Sequence, residues 1–349
     1  MKNRVQNNIK YFLIFLVLLL ANICSVNRLS LLKGYADMIF VCYLADSVEE
    51  SSFEQFKENE SSKDFSKMAL WKSMEKETVS AENSGRGQKT SVYQVKGQPD
   101  AVFGNNLAQG RYFTDEESRA CLLDQGLARQ LFGSENVLGL EVEIGQKSYQ
   151  IAGVLKGDNQ LCVTPAEENV RFDGVAVQKQ EREQSSALAV SLIEAVFGST
   201  DGQKVDGQLY FMTARLFYSV VSAFILIALG VAAARGSKIL CKILSAACMT
   251  AAAWILITGI RGAAPGADYL PTYWSDFDFF VRLFQEKSGQ IQRLSVYQKF
   301  PIWQEMLRLW QQVVGTEVFM GAVFGIFVCR FSRKNQWRET KVTAYIDLD

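Results

Sequence analysis

Apolar residues gather in four long blocks along the chain, and the sequence between the first two blocks is strongly polar. Tyr11 to Val26 is almost unbroken; as a helix it reaches about 24 Å, short of a hydrocarbon core of about 30 Å unless its flanks snorkel. Leu216 to Ala234 runs nineteen residues without a charge, Ile239 to Ile260 has Lys242 as its one ion, and Val313 to Val328 forms the fourth block. Length and hydropathy predict four membrane-crossing helices, at 11–27, 214–234, 239–260 and 310–329. Basic residues stand before the first block (Lys2, Arg4, Lys10), between the second and third (Arg235, Lys238) and after the fourth (Arg330, Arg333, Lys334, Arg338). Four crossings put all three clusters in the cytoplasm, so that 1–10 and the tail 330–349 lie inside while 28–213 and 261–309 lie outside. A retained anchor is expected at the first block, with a cleaved leader as the alternative; Ile23 before Cys24 does not suit a lipoprotein site.

The polar region predicts a mixed α+β domain. Met38 to Leu44 reads as a buried strand, and Phe53, Phe56, Phe65, Met68 and Trp71, spaced about three apart, predict one or two amphipathic helices. Ser80 to Lys89 reads as a loop and Ser91 to Val95 as a strand. Thr114-Asp115-Glu116-Glu117 has the form of a capping box and predicts a helix start. Gln125 to Phe132 predicts a helix stopped by Gly133. Leu140, Val142 and Ile144, then Gly145-Gln146, then Tyr149, Ile151 and Val154 predict a hairpin. Beyond it come a strand at Phe172 to Val177, a helix at Ala187 to Phe197 ended by Gly198, and a strand at Gln208 to Met212 entering the second apolar block.

Four successive blocks within Gly110 to Gly157 also carry a resemblance: Gly-Arg-Tyr-Phe-Thr-Asp-Glu-Glu, Leu-Ala-Arg-Gln-Leu-Phe-Gly, Leu-Gly-Leu-Glu-Val-Glu-Ile-Gly and Tyr-Gln-Ile-Ala-Gly-Val-Leu-Lys. This stretch resembles the extracytoplasmic core domain of MacB-type, FtsX-like ABC transporter permeases. The resemblance implies an α+β extracytoplasmic domain combined with a four-helix α transmembrane region, the domain standing between a first helix and three later ones. It implies as partners a separate ABC ATPase subunit, a second permease or a second copy of the chain, and membrane lipid. It also implies that the segment between the second and third spans docks on the ATPase. Arg235, Lys238 and Lys242 are the candidate coupling residues, but Lys238 stands where the family carries an acid and Ser245 where it carries a glycine. That departure motivates a second reading, a non-transporting sensor or scaffold that has lost ATPase coupling.

Composition narrows the chemistry. The 349 residues are 48% hydrophobic and 21% charged, and 37 basic residues balance 37 acidic ones, so no net positive field exists to hold nucleic acid. The chain has no histidine, which removes His-dependent triads and His-containing zinc sites. Seven cysteines form no C-x-x-C pair; Cys42, Cys121 and Cys162 fall in the outer region and allow at most one bridge among themselves, with the pairing left open. These residues contain no P-loop, so no cofactor and no enzymatic activity are predicted, and an ATPase partner has to be another polypeptide. The acidic pairs Glu49-Glu50, Glu116-Glu117 and Glu167-Glu168 read as solvated faces rather than acid/base sites.

Three features of the apolar blocks remain. Glu317 is a carboxylate inside the fourth block, about 18 Å of helix from Arg330. At that depth it marks a candidate intramembrane site, unless the helix starts nearer Leu307 and brings it toward the outer headgroups. Gly321 and Gly325 form a G-x-x-x-G pair suited to helix packing. The loop 261–309 is rich in Tyr, Trp and Phe, which fits either a gate or lipid-contacting element or an interfacial belt packed on the outer domain.

Overall fold

The computed structural model describes residues 2–43, 48–58, 60–82, 85–104, 106–180, 185–198, 203–234, 239–262, 278–296 and 305–326. The chain divides into two compact units, one of Met1–Lys33, Tyr210–Ala264 and Leu307–Asp349, the other of Gly34–Leu209 and Pro265–Met306.

The first unit is helical. Helix α1 runs Lys2–Lys33, past the Asn27-Arg28 pair, because Arg28 finds a partner: its Nη1 donates to Thr316 Oγ1 at 3.3 Å. Among the described residues, three helices are long and apolar enough to cross a membrane: the Leu16–Lys33 part of α1, Gly207–Ala234 and Ile239–Gly262. The fourth expected span is a helix over 305–326 that is not one of these, since Gln311, Gln312 and Glu317 dilute its apolar run and 327–329 lie outside the described residues. The four-helix expectation therefore stands at three spans and one further helix. The strand expected at Gln208 to Met212 is instead the first turn of the Gly207–Ala234 helix. Asp206 explains the switch, as its Oδ1 accepts the Gln208 N–H at 2.9 Å and so starts a helix where a strand was ending.

The second unit is built on ten strands: β1 Met38–Cys42, β2 Phe65–Ala81, β3 Gly87–Gly97, β4 Leu107–Gly110, β5 Ala120–Asp124, β6 Glu141–Ile144, β7 Lys147–Leu155, β8 Leu161–Pro165, β9 Gly174–Lys179 and β10 Gln203–Asp206. Their order is β10-β1-β9-β2-β3-β8-β5-β7-β4, and β6 bridges β2 to β7. The strands β2, β3, β8, β5, β7 and β6 thus close into a ring, which removes their edges. A bulge between Met74 and Glu77, with Lys76 at φ 65°, divides the long β2. Before the bulge β2 pairs with β9, and after it with β6, so one strand serves both the open sheet and the ring.

Each half has its own core. Val79, Val92, Leu123, Leu127, Leu131, Val142, Ile151 and Val154 fill the ring half, with helix α2 (Gln125–Phe132) laid on it. Ile39, Val41, Phe53, Phe56, Leu70, Phe172, Val175 and Ile193 fill the other, covered by helices α3 (Glu50–Glu58) and α4 (Ser186–Phe197).

Phe65, Met68 and Trp71 are not on a helix but in β2, flanked by β3 and β9, where residues 69–71 are all buried; their spacing imitates a helix because both strand faces are covered. Thr114 to Glu117 starts no helix: the Thr114 N–H donates to Glu117 Oε2 at 3.0 Å, but β5 begins at Ala120 and leaves room only for a turn. The predicted loop at Ser80 to Lys89 shrinks, since its ends belong to β2 and β3. The Gly145-Gln146 hairpin, the Gly133 stop in left-handed conformation and the Met38 strand form as expected.

Candidate functional site

Within the helical unit, polar side chains meet on three helices: α1, the Gly207–Ala234 helix (hereafter α5) and the 305–326 helix (hereafter α6). Glu317 of α6 is fully buried, and neither of its carboxylate oxygens has a hydrogen-bond partner. The Ser25 hydroxyl of α1 is its polar neighbour, also fully buried, though no hydrogen bond of ordinary geometry joins the two. One turn earlier on α1, Asn22 Nδ2 donates to Ser222 Oγ of α5 at 3.1 Å, and the Tyr218 phenol joins that pair. One turn later, Arg28 is held by Thr316, the residue next to Glu317.

Helix geometry explains the convergence. Asn22, Ser25 and Arg28 are three apart and share one face of α1, while Tyr218 and Ser222 are four apart on α5. Ser219 satisfies itself on its own helix by donating to Arg215 O at 2.8 Å. Trp310 Nε1 donates to Thr213 Oγ1 at 2.8 Å, a second polar tie between α6 and α5. A carboxyl so enclosed can carry a proton, and Arg28 engages the neighbouring Thr316.

The other expected site residues are placed differently. Arg235 and Lys238 lie outside the described residues. Lys242 is exposed on the Ile239–Gly262 helix (hereafter α7), which runs without a break from Ile239. A side chain added at Gly321 would meet Val221 at 3.8 Å, ordinary contact, and one added at Gly325 would meet nothing within 4 Å. The close helix approach is at Gly259 instead, where an added Cβ would stand 2.1 Å from Ser219 Oγ. Asn22, Ser25, Tyr218, Ser222 and Gly259 went unrecognised in the sequence; the three-residue polar spacing inside the first apolar block was the signal for the first two.

In the sheet unit the acidic pairs are engaged in surface ion pairs: Glu50 with Lys96 at 2.8 Å, Glu117 with Arg111 at 2.5 Å, and Glu167 with Lys147 at 2.6 Å. The Arg111 guanidinium, helped by the Thr114 N–H, holds the Glu117 carboxyl down at about 2. An open cavity of about 730 Å³ is lined by Ser118, Arg119, Lys147, Tyr149 and Glu167. Asp124 and Asp173 are buried carboxylates of this unit, and Asp173 accepts from Ser73 N at 2.8 Å. Asp124 caps α2 by accepting from Leu127 N at 2.9 Å, and it accepts from Gln160 N at 2.7 Å and Leu161 N at 3.3 Å.

The strand ring, the β6–β7 hairpin and the helix preceding β1 coincide with a family model for the MacB-like periplasmic core domain, which matches residues 21–196, half of the chain. The chain belongs to the MacB-like periplasmic core domain family. Its core domain is therefore of periplasmic type, accompanied here by three helices apolar enough to cross a membrane. Over 61 residues the chain is 41% identical to the macrolide export ATP-binding/permease protein MacB of Syntrophobacter fumaroxidans, a match covering 16% of this chain and 8% of that protein. The periplasmic region of MacB from Actinobacillus actinomycetemcomitans is 16% identical with a TM-score of 0.44, covering 54% of this chain and 97% of the other. The extracellular domain of the noncanonic ABC-type transporter YknZ from Gram-positive bacteria is 18% identical with a TM-score of 0.37, covering 44% and 88%.

Proposed function

We propose that this MacB-like chain is the permease-type subunit of an ABC system, in which a separate ATPase moves the membrane helices and, along the chain, the core domain, for export or mechanical transmission. The observation that carries this reading is the core-domain match over 21–196 combined with three helices of spanning length, one before the strands and two after. The basic clusters support four crossings with both termini cytoplasmic and the core domain outside. Chain connectivity supports a mechanical link, since α1 leads into β1, β10 leads into α5, and β1 and β10 pair antiparallel from Ile39–Asp206 to Cys42–Gln203. Displacing either helix thus loads the same edge of the sheet. The Glu317 seam, shared by α1, α5 and α6, is the intramembrane site of this reading, where a change of partner alters how the three helices fit. Lipid surrounds the helices, and a second permease or a second copy completes the assembly.

Isolating the full chain in mild detergent together with each candidate ATP-binding subunit encoded beside it tests the proposal. Recovery of one such subunit in fixed ratio supports it, and recovery of none contradicts it. Lys238 where the family carries an acid and Ser245 where it carries a glycine favour a second reading, a sensor or scaffold without coupling. Replacing Lys242 with Ala separates the two: a coupled permease loses ATPase stimulation, whereas a scaffold is unaffected.

A further inference from the structure

Three helices of the first unit enclose an open cavity of about 340 Å³ near the end where α1 and α7 stop and α5 begins. Val26, Leu29 and Lys33 share one face of α1, Phe211 and Arg215 are four apart on α5, and Trp254 and Ile255 come from α7. The lining is graded along the helix axes. Toward the middle of the helices it is apolar, with Val26, Leu29, Trp254 and Ile255, and toward their ends stand two cations. Lys33 is the last residue of α1, and Arg215 is beside Thr258, four residues before the end of α7. Among the described residues no carboxylate lines the cavity.

Arg215 is fixed in place. Its Nη2 donates at 2.7 Å to Thr258 O, a carbonyl of the last turn of α7, and its Cζ stands 5.7 Å from the centroid of the Phe211 ring. A side chain at position 262 would collide with the guanidinium, so Gly262 is what lets Arg215 lie against the end of α7. A guanidinium carries five N–H donors in a fixed fork, and one carbonyl engages only one of them. Lys33, exposed at the end of α1, adds a second positive charge to the same cavity.

We propose that this cavity binds an anionic phospholipid, with Arg215 and Lys33 on the headgroup phosphate and an acyl chain laid along Val26, Leu29, Trp254 and Ile255. Charge complementarity selects the headgroup: two cations with no carboxylate between them leave a positive site, which an anionic lipid neutralises better than a zwitterionic one. The apolar walls select a lipid over a free phosphate ion, because the lipid brings hydrocarbon to cover side chains such as Trp254, which is 69% exposed. A lipid seated there touches all three helices and ties their ends together at the level of the headgroups. The proposal rests on the part of the reading above that puts α1, α5 and α7 across a membrane, and not on ATPase coupling.

The test uses the full chain. Membranes holding it are washed with alkaline carbonate, the chain is purified in mild detergent, and phosphatidylglycerol, phosphatidylcholine or inorganic phosphate is titrated in while bound adducts are counted by native mass spectrometry. The expected result is that the chain stays with the membrane through the wash, that one phosphatidylglycerol binds per chain ahead of phosphatidylcholine, and that inorganic phosphate gives no saturable adduct. Lys33→Gln is expected to weaken phosphatidylglycerol binding by about fivefold. Arg215→Lys, which keeps the charge and loses the fork, weakens it as well, and Arg261→Gln, at an exposed α7 cation outside the cavity, leaves it unchanged. Equal binding of the two lipids, or an equal loss in Arg261→Gln, makes these cations ordinary headgroup-level anchors and overturns the site while the membrane placement stands. Saturable binding of inorganic phosphate that Lys33→Gln weakens overturns the lipid assignment. Release of the chain by carbonate overturns the membrane placement and the proposal together.

Discussion

Replacing Glu317 with Met separates a structural from a functional role for the helix seam. Both Glu317 carboxylate oxygens are buried without a hydrogen-bond partner, and Arg28, the nearby cation, is engaged on Thr316. An unsatisfied buried polar group costs about 1–3 kcal/mol. Met has similar length and no such penalty, so the variant is expected to stabilise the helical unit by about 2 kcal/mol. In the permease reading proposed above the carboxyl serves the coupled cycle, so the same variant is expected to lose ATP-driven activity by tenfold or more. The assay pairs urea-dependent pulse proteolysis of the full chain in detergent with ATPase stimulation in liposomes, for wild type, Glu317→Met and Glu317→Gln. A loss of stability in Glu317→Met refutes the reasoning, because it means that the carboxyl has a partner. A gain in stability with full activity leaves the seam as packing alone.

Asp124→Ala removes the α2 cap and strips the acceptor from two further backbone N–H groups, Gln160 and Leu161; a loss of about 3 kcal/mol is expected in chemical denaturation, and Asp124→Ser, which can still cap Leu127, should lose less. Gly207→Ala sets a Cβ 1.8 Å from Tyr35 O and 2.8 Å from Tyr35 C, both backbone atoms, so the β10–α5 junction must shift; lower yield of folded chain and protease sensitivity near residue 207 are expected. The Glu117 carboxyl is held at about 2 against an ordinary value of 4.5, so its clamp on Arg111 and Thr114 is complete above pH 4.5 and released as pH falls through 2; hydrogen exchange at the Thr114 amide should lose protection across that window and not above it.

The parts of the fold legible in the sequence were those with local causes. Gly133 stops α2 because its left-handed conformation is cheap for glycine, and Gly145-Gln146 turns the hairpin for a similar reason. Long apolar runs with few charges made the Gly207–Ala234 and Ile239–Gly262 helices readable. The features that escaped depend on distant partners. Trp71 reads as helical until β2 is known to lie between β3 and β9 with residues 69–71 all buried, and Thr114 to Glu117 reads as a helix start until the proximity of β5 is known. For the site, Glu317 stood out by its own charge. Its neighbours Ser25, Asn22 and Tyr218 did not, because a lone serine, asparagine or tyrosine in an apolar run says nothing of which helix it will face. Gly321 and Gly325 fit a packing motif, but the tight contact is at Gly259, selected by the crossing of α5 and α7 rather than by a repeat.

In the permease reading proposed above, ATP hydrolysis by a separate subunit is coupled to this chain. The most direct measurement is the hydrolysis rate of the co-isolated ATPase in liposomes, with and without the chain and with the chain carrying Lys242→Ala. Several-fold stimulation by the wild-type chain and its loss in the variant are expected. A rate that is the same in all three samples contradicts the reading.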